Sequence, residues 1–285
     1  MKWQKRREAA RAVLAGQACI HPASVHDPLT GRIAENLGFE LGMFAGSIAS
    51  LTVLAAPDLI TLTLTEFAEQ ALRINRACTL PLVVDADHGY GNALNVMRTV
   101  EELEVAGVSA LSIEDTDLPR PYGVEKPRLI PLDEGMRKIR AALAARVDPS
   151  LAILARTGAC SITGLQDALA RARAYCRTGA DGLFLTGVTT RAELDALAEV
   201  ATLPLILGTL SPAIADRDYL ASRGVRIALQ GHLPIQAAIQ AVHATLQALR
   251  AGTKPGDITG TAPPALSRLA AREADHAAWT AEFLG

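Results

Sequence analysis

At 285 residues the chain is too long for a small binding module and suits one (β/α)8 barrel of roughly 250 residues with helices to spare. Hydrophobic residues make up 49 % and aromatics only 4 %, so the core must be built from Ala, Val, Leu and Ile, as in a helix-covered parallel sheet. A net charge of −2 gives no electrostatic footprint for nucleic acid or an anionic membrane as a partner.

The first sixteen residues, MKWQKRREAARAVLAG, lack the long apolar stretch of a signal peptide and predict an amphipathic helix. Short apolar runs then follow at 19–25, 41–46, 81–85, 110–114, 151–155, 182–186, 204–207 and 226–229. Runs apolar on both faces are what a parallel sheet buried on both sides requires. Helical patterns are predicted at 30–37, 65–78, 93–106, 131–145, 165–178, 191–199, 213–223 and 234–249. Gly38, Gly107, Gly179 and Gly224 stop four of them before the next strand. Eight strand–helix pairs in strict alternation argue for a closed barrel over about 18–250 rather than an open sheet. No Gly/Pro/Ser-rich linker divides the chain before 252–264, so 1–285 reads as one domain with a last helix at about 265–284. No apolar run approaches the ~20 residues of a membrane helix. Cys19, Cys78, Cys160 and Cys176 form no CxxC pair, which predicts a reduced cytoplasmic protein with structural thiols.

In a (β/α)8 barrel the chemistry sits at the C-terminal strand ends. There the sequence places Gly46 and Ser47, with Asp58 in the following loop; Asp85-Ala-Asp87-His88-Gly-Tyr-Gly; Glu114 and Asp115; Arg156 and Thr157; and Gln230-Gly-His232. Each has a structural account when taken alone. Asp-x-Asp is common turn chemistry, Glu114-Asp115 suits a helix cap, Arg156 suits a barrel ion pair, and Ser47 and His232 suit capping and packing. Taken jointly, five strand ends converging on one face argue for a site. Four or five carboxylates in one mouth repel one another unless a cation sits among them. All the donors are oxygens, so the ion is hard: Mg2+, with Mn2+ as the alternative. Period-two alternation predicts that Asp85 and Asp87 point the same way.

Gly46-Ser47, the run VVDADHGYGNALNVMRTV at 83–100, Ile113-Glu114-Asp115 and Ala155-Arg156-Thr157 resemble the isocitrate lyase and phosphoenolpyruvate mutase superfamily over about 20–250. Within it, the segment from Asp85 to Val96 and the presence of His232 resemble the oxaloacetate decarboxylase group most. The resemblance implies that Asp85 holds Mg2+ directly, and that Asp58, Asp87 and Glu114 hold it mostly through water. It implies that Ser47, with the backbone N–H groups of Gly46 and Ile48, binds a substrate carboxylate. Arg156 and His232 are the implied catalytic and substrate-binding residues, with His232 at the far end of a small 2-oxo acid. The implied reaction is Mg2+-dependent decarboxylation of oxaloacetate to pyruvate and CO2 through an enolate stabilised by the metal and Arg156. The superfamily's homotetramers often exchange a terminal helix between subunits, which gives the helix at 265–284 a role.

Departures from the superfamily pattern carry information too. The lyases' Lys-Lys-Cys-Gly-His loop is replaced by Leu-Pro-Arg-Pro-Tyr-Gly-Val-Glu-Lys at 118–126, without a cysteine. A cysteine-dependent lyase is thereby disfavoured, and the segment becomes a surface loop or a lid over substrate. Gly158 stands where Asn or Asp is usual, and Gly208-Thr-Leu-Ser-Pro212 where a polar Tyr or Asn segment is expected. Both predict a wider or more apolar pocket. The alternatives are another C–C or C–P bond reaction on the same scaffold (a lyase, or a phosphonopyruvate hydrolase or mutase) and a catalytically silent metabolite-binding barrel.

Overall fold

In the computed structural model, residues 3–285 are described; Met1 and Lys2, the start of the predicted N-terminal helix, lie outside them. The elements run in chain order as α1 (Gln4–Ala15), β1 (Ala23–Ser24), α2 (Pro28–Asn36), β2 (Gly42–Phe44), α3 (Gly46–Leu54), α4 (Leu64–Ala77), β3 (Leu82–Asp85), α5 (Ala93–Val105), β4 (Ala110–Glu114), α6 (Leu132–Ala145), β5 (Ala152–Thr157), α7 (Ala159–Ile162) and α8 (Leu165–Tyr175). They continue as β6 (Gly182–Leu185), α9 (Arg191–Val200), β7 (Leu205–Thr209), α10 (Arg217–Ser222), β8 (Val225–Leu229), α11 (Leu233–Arg250), α12 (Pro264–Ala271) and α13 (Glu273–Phe283). The eight strands are parallel and lie in sequence order. A parallel bridge between Ile20 and Ile227 brings the two edges together, with Ile20 N–H donating to the Arg226 carbonyl and Ala228 N–H to that of Ile20, each at 2.9 Å. The sheet thus closes as the expected (β/α)8 barrel.

Alternation along each strand sorts the core into two layers. Val84, Leu111, Ile113, Ile153, Ala155 and Leu183 face the helices. Val83, Ala110, Ala152, Leu154, Phe184, Ile206 and Ile227 face inward, joined by Ala10 and Leu14 of α1. The helix α1 crosses the N-terminal strand ends. There Arg7 donates to the carbonyls of Val108 at 3.0 Å and Glu104 at 2.6 Å, and pairs with Asp148 at 2.6 Å. This end of the barrel is sealed, and only the C-terminal end is open to ligands.

Four elements differ from expectation, the first being the one-turn α7, which has no predicted counterpart. The helix α3 was not predicted, because GSIASLTVL is apolar on every side and shows no helical stripe. Pro212 opens only a short 3-10 turn, and Asp216 caps the shorter α10 by accepting from Tyr219 N–H at 2.9 Å. The predicted C-terminal helix is two helices, broken at Arg272, whose φ of 56° is left-handed. That residue's guanidinium is tied to Glu35 at 2.8 Å, which holds the break against α2.

Candidate active site

The inward rows of β3, β4 and β5 end in Asp85, Glu114 and Arg156. The strand register sets Asp85 beside Ser112 and Glu114 beside Arg156. One carboxylate oxygen of Asp85 accepts from Ser112 Oγ at 3.0 Å and from Asp87 N–H at 3.3 Å; the other is held by Arg156 Nη1. Arg156 Nη2 stands 3.5 Å from Glu114, which also accepts from Thr116 Oγ1 at 3.0 Å. The guanidinium lies over the Phe184 ring, 5.3 Å from its centroid. Burial works against its charge, but Asp85, Glu114 and Asp87 hold it firmly protonated. Its Nε is buried without a partner.

Asp87 reaches the same mouth by a different route from the one alternation predicts. The strand has ended by then, and Asp87 adopts a left-handed φ of 48°. Its carboxylate lies against Gly46, where an added Cβ would sit 2.5 Å from Oδ2. Gly46 opens α3, which has no side-chain cap, so the Asp87 carboxyl lies beside that helix N-terminus. Burial first, then the charges of Asp85 and Glu114, drive the Asp87 carboxyl well above its usual range. Glu114 is raised by burial despite Arg156, and Asp58 is raised by burial and by Asp85.

A cavity of about 520 Å³ opens above these groups. It is lined by Ser47, Asp58, Asp85, Asp87, Glu114, Arg156 and His232, so the structure brings together seven of the nine predicted residues. Gly46 and Ile48 do not line it. Gly46 is the surface on which Asp87 rests, and Ile48 is packed into the inner core with its N–H turned to the Ala45 carbonyl at 3.2 Å. His232 precedes α11, and its Nδ1 lies 2.8 Å from Ser24 Oγ. Burial holds its pKa below the ordinary value, so the ring is neutral at pH 7. Ser24 went unnoticed in the sequence because β1 shows only two paired residues. Arg120, Phe184, Thr186, Thr189 and Thr209 also line the cavity without having been predicted. Alternation along β6 was a usable signal for Phe184; nothing local marked the rest. The two departing glycines flank one residue, since an added Cβ would meet Thr186 at 3.1 Å from Gly158 and 3.0 Å from Gly208. Both glycines thus leave room beside Thr186, which lines the cavity with Thr189 and Thr209.

Asp115 follows Glu114 but faces the other way. It accepts from Arg171 at 2.9 Å and Tyr175 at 2.6 Å, pinning β4 to α8. Among the described residues, no three His, Cys, Asp or Glu side chains could by themselves hold a metal ion. The donor set still suits a hard cation. Four carboxylates crowd one mouth, three of them raised, with a single arginine lodged between two.

Carboxylates, a guanidinium and a neutral imidazole around the open end of a parallel barrel define an enzyme of the (β/α)8 class. The chain belongs to the phosphoenolpyruvate phosphomutase family, whose pattern it matches over residues 11–250. A relative from Bradyrhizobium sp. (strain BTAi1 / ATCC BAA-1182), described as oxaloacetate decarboxylase, is 57 % identical over 275 residues, covering 96 % of each chain. An oxaloacetate acetylhydrolase solved with 3,3-difluorooxalacetate superposes with a TM-score of 0.86 at 27 % identity, covering 98 % of this chain and 97 % of that one. A phosphonopyruvate hydrolase solved with oxalate and Mg2+ gives 0.84 at 28 % identity, covering 98 % and 99 %.

Proposed function

We propose that this protein decarboxylates oxaloacetate to pyruvate and CO2 with a bound Mg2+, for which Mn2+ can substitute. The observation that carries the reading is Arg156, set between Asp85 and Glu114 on the cavity floor with its Nε unpartnered. The 57 % identical decarboxylase relative supports the choice of reaction, and the Mg2+–oxalate hydrolase supports the choice of ion.

Asp85 would hold the cation directly, with Asp58, Asp87 and Glu114 acting largely through water. When bound, it supplies Lewis acidity to the 2-oxo group and offsets the carboxylates. Ser47, at the first turn of α3, binds the carboxylate next to the 2-oxo carbon, where the helix N-terminus favours an anion. As the C3–C4 bond breaks and CO2 leaves, negative charge grows on the 2-oxo oxygen, and Arg156 faces it. His232, fixed by Ser24, offers the substrate's far end a neutral imidazole. A proton from solvent at C3 completes pyruvate, so the reaction needs no acid in the place of the lyases' cysteine. Met43, Phe184 and Leu229 line the cavity and limit water there.

The apolar residues exposed on the last helices, Leu266, Leu269, Trp279 and Phe283, support a homotetramer in which this end of the chain packs on a neighbouring subunit. The four free cysteines suit a reduced, cytoplasmic setting for a chain acting as one domain.

The deciding experiment is pyruvate release from oxaloacetate, corrected for spontaneous and free-Mg2+ decarboxylation. A protein-dependent rate that requires Mg2+ and disappears in Asp85→Ala supports the assignment. Tight oxalate binding with no rate above background would instead leave a silent metabolite-binding barrel.

A further inference from the structure

The mouth holds a second guanidinium without a role so far. Arg120 lines the same cavity as Asp85, Arg156 and His232, from the loop between β4 and α6. That loop is braced at its base. Thr116 and Leu129 form an antiparallel bridge, and Ile130 N–H donates to the Asp115 carbonyl at 2.9 Å. Asp117 N–H donates to the Arg128 carbonyl at 2.9 Å, and Arg128 Nε to the Asp117 carboxylate at 2.6 Å. The bracing stops before the tip. Arg120 Nη1 approaches only the Glu125 carbonyl, at a long 3.5 Å, and Arg120 forms no ion pair among the described residues.

The charges around the cavity show what this cation is for. Asp58, Asp85, Asp87 and Glu114 face Arg156, which is already engaged by two of them. A 2-oxo diacid brings two more negative charges. Its 2-oxo acid half has Ser47 and Arg156 to meet it. Its second carboxylate finds the neutral His232 and, as the remaining cation on the cavity wall, Arg120. We infer that Arg120 is a specificity-determining residue whose guanidinium pairs with the second carboxylate of a 2-oxo diacid, selecting ligands that extend to that carboxylate over ligands that stop at the 2-oxo acid end. The inference rests on the proposed function only for the identity of that diacid.

A guanidinium can hold a carboxylate through two parallel N–H donors, which an ammonium cannot reproduce. The contact belongs to binding more than to bond breaking. In the ground state the charge sits on the carboxylate facing Arg120, and in the transition state it moves toward the 2-oxo oxygen facing Arg156. Arg120 therefore acts on KM, and its loss should not lower kcat.

The test compares wild type, Arg120→Lys and Arg120→Ala in the presence of Mg2+. Calorimetry measures the affinity for oxalate, which carries only the 2-oxo acid end, and for 3,3-difluorooxaloacetate, which carries the second carboxylate as well. Kinetics with oxaloacetate run in parallel. Diacid affinity should fall at least tenfold in Arg120→Ala, with Arg120→Lys intermediate and oxalate affinity within twofold throughout. KM should rise, and kcat should not fall. Equal weakening of both ligands, an unaffected diacid, or a wild type that binds no diacid each overturns the inference. A wild type that binds the diacid but releases no pyruvate overturns the decarboxylase reading instead, and the affinity comparison still decides the role of Arg120.

Discussion

Arg156 enters the mouth along the inward row of β5 with two carboxylates already against it. Replacing it with lysine keeps a charge but removes the planar fork, so Asp85 and Glu114 can no longer both be held. If Arg156 meets the charge that develops on the substrate, Arg156→Lys should lower kcat about 10²–10³-fold, measured as pyruvate release at saturating oxaloacetate. Gly46 is constrained by contact rather than by turn geometry. In Gly46→Ala the new Cβ would fall 2.5–2.8 Å from the Asp87 carboxylate, which must then move. We expect weaker Mg2+ binding by calorimetry with the circular dichroism spectrum unchanged; an unaltered Mg2+ affinity would show that Asp87 has no part in holding the ion. The thiols take no part in this chemistry. Burial pushes Cys19 and Cys160 up to about 11, so both should resist alkylation at pH 7.5 in the native protein and react once it is unfolded.

At the scale of elements, α1 and the loop before β5 seal the closed end of the barrel through one buried ion pair. Arg7 and Asp148 are 2.6 Å apart and both buried, with Glu104 3.8 Å from the same guanidinium. Removing one partner strands the other, so Asp148→Ala should cost about 3 kcal/mol in urea denaturation, leaving the open-end site intact. The same pair shapes acid stability. Burial raises the Asp148 carboxyl, but hydrogen bonds from Ser150 and Arg7 outweigh it and bring the pKa to about 2. A carboxylate depressed on folding stabilises the native state above its unfolded pKa near 3.9, and that contribution is lost as pH falls toward 2. Asp148→Asn should therefore lose stability less steeply than wild type between pH 4 and pH 2; parallel curves would place the acid sensitivity elsewhere.

For the whole molecule, α11 exposes Ile239, Val242, Leu246 and Leu249, and α12 and α13 expose Leu269, Trp279 and Phe283. If the apolar residues of α12 and α13 form a subunit interface, deleting residues 264–285 should lower the mass measured by light scattering below that of a tetramer. An unchanged mass would free the C-terminal helices from that role.

Strand order and most of the site were legible in the sequence, because both follow from local periodicities. Apolar runs and glycine stops mark the eight repeats, and period-two alternation puts Asp85, Glu114 and Arg156 in the inward row. The same rule explains why Asp115, one residue on, faces α8. Periodicity fails where the chain leaves regular geometry. Asp87 sits in the left-handed region beyond the strand, α3 shows no apolar stripe, and Arg272 breaks a helix that composition alone would continue. Arg120 and Thr186 meet the cavity, and Ser24 meets His232, across sequence separations that no local pattern spans. The amino-acid sequence by itself determined the barrel, its open face and its acidic floor, since these depend on neighbours within a few residues. Only the tertiary structure decided which side chains share the cavity and which cation is already engaged, because those depend on how distant segments pack against each other.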